Sequence, residues 1–128
     1  MNKKIITLNL IFILICFYSV SFAAKWNKTD KALFGAFTTT MIIDCLQTNY
    51  AFTHKDFSER NSIIREGVHS IGREFIPIYF GVCTIGSWYI LNKFSSRNKK
   101  FILIGLTLFN ISTISHNKNE GAKLNFKF

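Results

Sequence analysis

At 128 residues the chain is long enough for one small domain and no more. Hydrophobic residues make up 48% of it and charged residues only 18%, below the roughly 25% of an ordinary soluble domain. The formal charge is +9, but the basic residues stand between apolar blocks, at Lys3 and Lys4, in 25–31, in 93–100 and in the tail; that placement fits segments flanking membrane spans and argues against nucleic acid as a partner.

The first element is a secretory signal over residues 1–23. Lys3 and Lys4 form a basic start, residues 5–20 an apolar run, and Ser21-Phe22-Ala23 a small-residue cleavage site that leaves Ala24 as the new N-terminus. An uncleaved anchor is the alternative. Ile15 before Cys16 is too large for a lipobox. The signal directs the chain to a bacterial inner membrane, with Lys25 emerging outside.

The remainder, 24–128, reads as a single helical membrane domain. Trp26 is a candidate interfacial anchor, and Thr29 or Asp30 can cap a helix starting near Lys31. The first apolar block, 32–52, has about the 20 residues that a span requires. Residues 53–74 form a connector with balanced charges. Within it Ile64, Val68, Ile71 and Phe75 recur at helical spacing, which predicts either a short amphipathic surface helix or an ordered loop. The block 75–92 carries no charge, and Pro77 falls in its first turn, where it removes no hydrogen bond. Gly81, Gly86 and Ser87 on it are small enough to admit a neighbouring helix. A basic turn follows at 93–100, where Lys93, Arg97, Lys99 and Lys100 are placed to meet anionic headgroups. The last apolar block is 101–115. The tail "KLNFKF" alternates like a barrel strand, but continuous apolar blocks and the short length argue against a barrel. The fold class is therefore all-α, a small helical membrane protein with two or three transmembrane helices.

Topology carries a conflict. Three spans after the signal put the 93–100 turn outside, against the positive-inside rule. Two spans satisfy the rule but strand the 32–52 helix outside the bilayer, at about 25 cal/mol per Å² of apolar surface exposed. Three spans is the preferred reading.

The chemistry centres on "MIIDCLQTNY", residues 41–50. Thr40, Asp44 and Gln47 stand at i, i+4 and i+7, on one helical face. An acid inside the bilayer costs roughly 2.5–3.5 kcal/mol at its centre, less toward an end, and normally faces a bundle interior. A polar clamp with Asn110, Thr107 or a backbone group is one role for Asp44; a proton-handling group, ion ligand or catalytic acid is the other. Asn49 and Tyr50 then mark the exit to the interface. Cys16, Cys45 and Cys83 lie in apolar runs without metal-ligand spacing, so they read as small buried hydrophobes rather than as a disulfide. Glu66 and His69 make one E-x-x-H, and a di-iron bundle needs two. No phosphate loop, nucleophile elbow or cofactor motif is present, so neither metal nor cofactor is expected.

Trp26, Asp30, Asp44 with Gln47 and Thr48, Glu59, Asn61, and Gly121 near a closing Phe resemble, in order, a group of small bacterial and phage-associated helical membrane proteins. That group has an Asn-Pro after its acidic residue, and here Ser62 follows Asn61. The resemblance implies a helical membrane protein with no assigned activity, and it joins Asp44, Gln47, Glu59 and Asn61 into one candidate polar cluster, to which the shared helical face adds Thr40. The expected function is a structural or accessory envelope component, with a membrane-protein partner or a second copy of itself. The rivals are a small membrane enzyme or ion- or proton-handling protein using Asp44 and Gln47, and a holin-like pore former.

Overall fold

The computed structural model describes residues 25–54 and 59–128, so the signal reading lies outside the described residues. Four helices follow in order: α1 (Lys28–Thr53), α2 (Ser62–Ile71), α3 (Phe75–Leu91) and α4 (Ser96–Asn119). Among the described residues there are helices and connections but no strand, and the class is all-α. The three apolar blocks fall on α1, α3 and α4; Ile64, Val68 and Ile71 of the connector stripe fall on α2, and Phe75 opens α3.

The start of α1 corrects the expected cap. Asn27, not Thr29 or Asp30, is the N-cap, and Asp30 closes a capping box three residues on: its N–H donates to the Asn27 side chain (2.8 Å) and its carboxylate accepts from the Asn27 N–H (3.2 Å). Asn61 caps α2, its side-chain oxygen accepting from the Ile63 N–H at 3.0 Å. Gly72, at φ 105°, turns the chain from α2 into α3, a backbone state that favours glycine. Gly67 is needed for a different reason: a Cβ there would lie 2.1 Å from the Phe75 ring, which packs directly on the helix.

Helix α1 is the centre of the bundle and packs against both α4 and α3, while α2 covers the start of α3. Asp30 meets Ser96, Thr40 meets Asn110, and Gln47 meets the Ile114 carbonyl, so α1 and α4 run parallel. Trp26 meets Asn92 while Cys45 packs with Ile76 and Phe80, so α3 runs antiparallel to α1. Two apolar clusters hold the bundle. Phe37, Leu91 and Leu103 fill the end near the start of α1; Cys45, Ile64, Ile76 and Phe80 tie α1, α2 and α3 at the other. Cys45 and Cys83 are both free.

The stripe on α2 behaves as a half-buried surface helix. Ile64 is buried and Val68 packs beside it, but Ile71 is exposed. Gly81 and Gly86 of α3 admit no neighbouring helix among the described residues, since a Cβ on either would stand in open space. The tail does not extend away either. Gly121, at φ 94°, ends α4, and residues 122–128 fold back across α1.

No described helix is long and apolar enough, taken by itself, to cross a membrane. The physical reason differs between helices. The most apolar, α3, has 17 residues and a length of about 25 Å, against a hydrocarbon layer of about 30 Å. Helices α1 and α4 are longer but carry polar residues along the seam where they meet, which lowers the mean hydropathy of each.

Candidate functional site

The bundle has two chemically different ends. At the start of α1 and α4, Asp30 is fully buried, and the Ser96 hydroxyl donates to its carboxylate at 2.9 Å, while the Asn27 side-chain amide donates to Ser96 at 2.8 Å. Trp26 closes this knot by donating from its indole to Asn92, and the Lys99 ammonium lies 4.8 Å from the Trp26 ring centre. Lys99 is fully buried, so it belongs to this knot and does not stand with Arg97 at the surface where the 93–100 turn was expected to meet headgroups. The Lys93 ammonium is likewise turned back, over the Tyr89 ring at 4.9 Å.

The other half of the bundle holds a chamber of about 620 Å³ between α3 and α4, with α1 as its back wall. Asp44 and Gln47 line it from α1, Tyr79, Phe80 and Cys83 from α3, and Phe109, Asn110, His116 and Asn117 from α4; Glu59, Arg60 and Asn61 close it from the segment entering α2. Four members of the candidate cluster, Asp44, Gln47, Glu59 and Asn61, therefore meet around one space although up to 17 positions separate them in sequence. Thr40 does not line the chamber. It sits one turn deeper, where its hydroxyl donates to the Phe37 carbonyl (2.7 Å) and accepts from the Asn110 amide (3.1 Å).

Each side chain has a distinct local duty. The Asn110–Thr40 contact is buried and well formed, so the interhelical clamp is made by Thr40 and not by Asp44. Asp44 instead accepts from the Asn117 amide at 3.4 Å, and the same amide reaches Gln47 at 3.4 Å. Both contacts are at the long limit for a hydrogen bond and share one donor, so they hold Asp44 weakly. Asn61 is occupied as a helix cap and also donates to the Tyr79 hydroxyl at 3.1 Å. The Glu59 carboxylate accepts from the Asn61 N–H at 2.7 Å. Glu120 is the matched acid of the site, with Arg60 at 3.2 Å and His116 at 3.1 Å.

The sequence reading missed Asn117, His116, Glu120 and Tyr79. A signal for one of them was present: Asn110 and Asn117 stand seven residues apart on α4, the spacing that matches the Thr40, Asp44, Gln47 face of α1 across a parallel helix pair. Asn49 does not mark an exit to the interface. It is fully buried, and its amide donates to the Asn125 and Lys127 carbonyls at 3.0 and 2.9 Å, fastening the tail to α1. Tyr50 is half-buried and stacked on His54 with ring centres 3.7 Å apart.

A scan against protein-family models finds no match, and searches of curated proteins and of solved structures likewise return none. Function must therefore be argued from the chamber. Among the described residues no group of three His, Cys, Asp or Glu side chains could hold a metal ion, and Glu66 with His69 lies outside the chamber lining.

The weak hold on Asp44 has a measurable consequence. Replacing it with Ala removes one long hydrogen bond and relieves the burial of a carboxylate, so thermal unfolding of the purified chain should shift by no more than about 1 kcal/mol in either direction. A clear loss of stability would show that Asp44 is held for structure.

Proposed function

We propose that the protein is a small integral membrane protein of the bacterial inner membrane, and that its chamber takes up a small polar solute beside Asp44. The observation that carries the first half is where the polar and apolar side chains lie. Ile78, Val82, Ile85 and Tyr89 repeat at helical spacing along α3 and are all exposed, Val82 and Ile85 to 64% and 68%. Phe101, Ile104, Leu108 and Ile111 do the same on α4, with Phe101 at 66% and Leu108 at 61%. Meanwhile Asp30, Thr40, Gln47, Thr48, Asn49 and Asn110 are buried. A chain that turns whole apolar stripes outward and amides inward is arranged for an apolar solvent.

This arrangement also accounts for the modest mean hydropathy of α1 and α4. Their polar residues face one another and the chamber, so the apolar face belongs to the bundle as a unit. Intramembrane polar residues are expected to face such an interior or a water-filled space. An export-signal reading of residues 1–23 supports the inner membrane as the destination.

The chamber favours a solute-handling role over a purely structural one. A clamp needs well-made contacts, and Thr40 with Asn110 already supplies one; Asp44, Gln47 and Glu59 border open volume instead. Beyond the chamber the Phe37, Leu91 and Leu103 cluster fills the bundle, so one chain offers a pocket and not a through-pore.

Fractionation tests the membrane assignment. The full chain should remain in the membrane pellet after alkaline carbonate extraction, and reporter fusions after Arg65 and after Ser96 should report opposite sides of the membrane. Release by carbonate, or both fusions on one side, would overturn the three-span reading.

A further inference from the structure

The chamber's charges do not cancel. Glu120 is matched by Arg60 and His116, but Asp44 and Glu59 line the same space and neither is paired with a cation among the described residues. Arg65 approaches Glu59 only at its backbone carbonyl, 3.5 Å away. Thr48 lines the same chamber and is only 5% exposed.

The rest of the lining narrows the chemistry. Tyr79, Phe80 and Phe109 present aromatic rings to the same volume as the two carboxylates. Rings attract ammonium groups through their quadrupole, most strongly where water is excluded. A volume of about 620 Å³ is far more than a bare ion needs and lies within the range of small-molecule pockets. Inorganic divalent cations favour convergent oxygen ligands and small cages, whereas two separated carboxylates with aromatic walls suit an organic cation.

We propose that the chamber between α3 and α4 binds a small organic ammonium cation, with Asp44 and Glu59 as counter-charges and the aromatic rings against its alkyl surface. This rests on the solute-binding reading of the chamber.

Isothermal titration calorimetry on the purified full-length chain in detergent tests it, with choline and putrescine as quaternary and primary ammonium probes. The controls are 3,3-dimethylbutan-1-ol, the neutral isostere of choline, and magnesium chloride. At least one ammonium probe should bind saturably, the neutral isostere at least ten-fold more weakly. Asp44→Asn and Glu59→Gln should each weaken binding at least ten-fold with an unchanged melting temperature, while Glu66→Gln, on the exposed side of α2, should leave it intact. Equal binding of the neutral isostere, or binding of magnesium alone, would overturn the ammonium assignment and keep a solute site. Binding unaffected by the Asp44→Asn, Glu59→Gln double variant would move the ligand out of the chamber. If no probe binds, both the ammonium assignment and the solute-binding reading fall, whereas the carbonate and fusion results stand independently.

Discussion

Asp30→Ala should lower the stability of the bundle by about 3 kcal/mol, the largest effect expected of a single polar substitution in this chain. Asp30 is fully buried and serves two helices at once. On α1 its carboxylate accepts from the Asn27 N–H; across the interface it accepts from Ser96, the first residue of α4. Removing it abolishes half of a capping box, worth about 1 kcal/mol. It also strips the Ser96 hydroxyl of its acceptor, at about 1–3 kcal/mol where water cannot replace it. The fully buried Lys99 ammonium, 4.8 Å from the Trp26 ring, sits in the same knot and would feel the lost negative charge. Thermal unfolding monitored by circular dichroism should show a fall of roughly 10 °C. Asp30→Asn, which keeps an acceptor oxygen, should recover a good part of it. Equal loss in both variants would mean that the charge, and not the hydrogen bonds, holds the knot.

Asn49→Ala should free the tail at a local cost of about 2 kcal/mol. The Asn49 amide spans two tail carbonyls, and its oxygen accepts weakly from Arg73, which also donates to the Lys127 carbonyl at 3.1 Å. The Asn125 N–H donates to the Leu46 carbonyl at 3.2 Å, so the tail is laced to α1 by main-chain groups that Asn49 aligns. Tail side chains contribute little to this hold, since Leu124 and Phe126 are exposed; Phe128 lies in a small apolar groove between α1 and α3 with Pro77 and Phe80. Limited trypsin digestion should therefore cut after Lys123 at least ten-fold faster in the variant, while the melting of the helices changes little. Unchanged cleavage would place the anchor elsewhere. Ala122, the one buried residue of the tail, lines the chamber, so release should also open the chamber floor.

The candidate cluster shows how far residue type and spacing reach. Asp44 and Gln47 stand out because a carboxylate and an amide are costly in an apolar run, and the helical period puts Thr40 with them. Those facts are local. What each side chain does depends on its distance across the bundle. Thr40 becomes the clamp because Asn110 lies opposite it; Asp44 is left with a long contact to an Asn117 amide that it shares with Gln47. Asn61 attracted attention for chemistry and turns out to spend its side chain on a cap and on Tyr79. Glu59 joins Asp44 only because α2 folds back over the start of α3.

The same division holds for the helices. The blocks 32–52, 75–92 and 101–115 are legible as apolar runs bounded by charge, and all three became helices, two of them longer than the runs. The extra turns of α1 and α4 are polar, capped by Asn27 and Ser95, and they add the Asp30–Ser96 contact to the parallel pairing.

Sequence by itself determined the class: long apolar segments with few breakers must satisfy their backbone internally, and helices do this segment by segment. It also determined that Asp44 needs a polar neighbour, since a lone buried acid is too costly to leave unattended. Only the tertiary structure decided which neighbours those are, that the tail folds back on Asn49, and that the acids of α1 and the α2 entry border one chamber. Those outcomes depend on how α3 and α4 pack on the two sides of α1. Such packing is fixed by contacts between residues tens of positions apart, and no local period in the sequence records it.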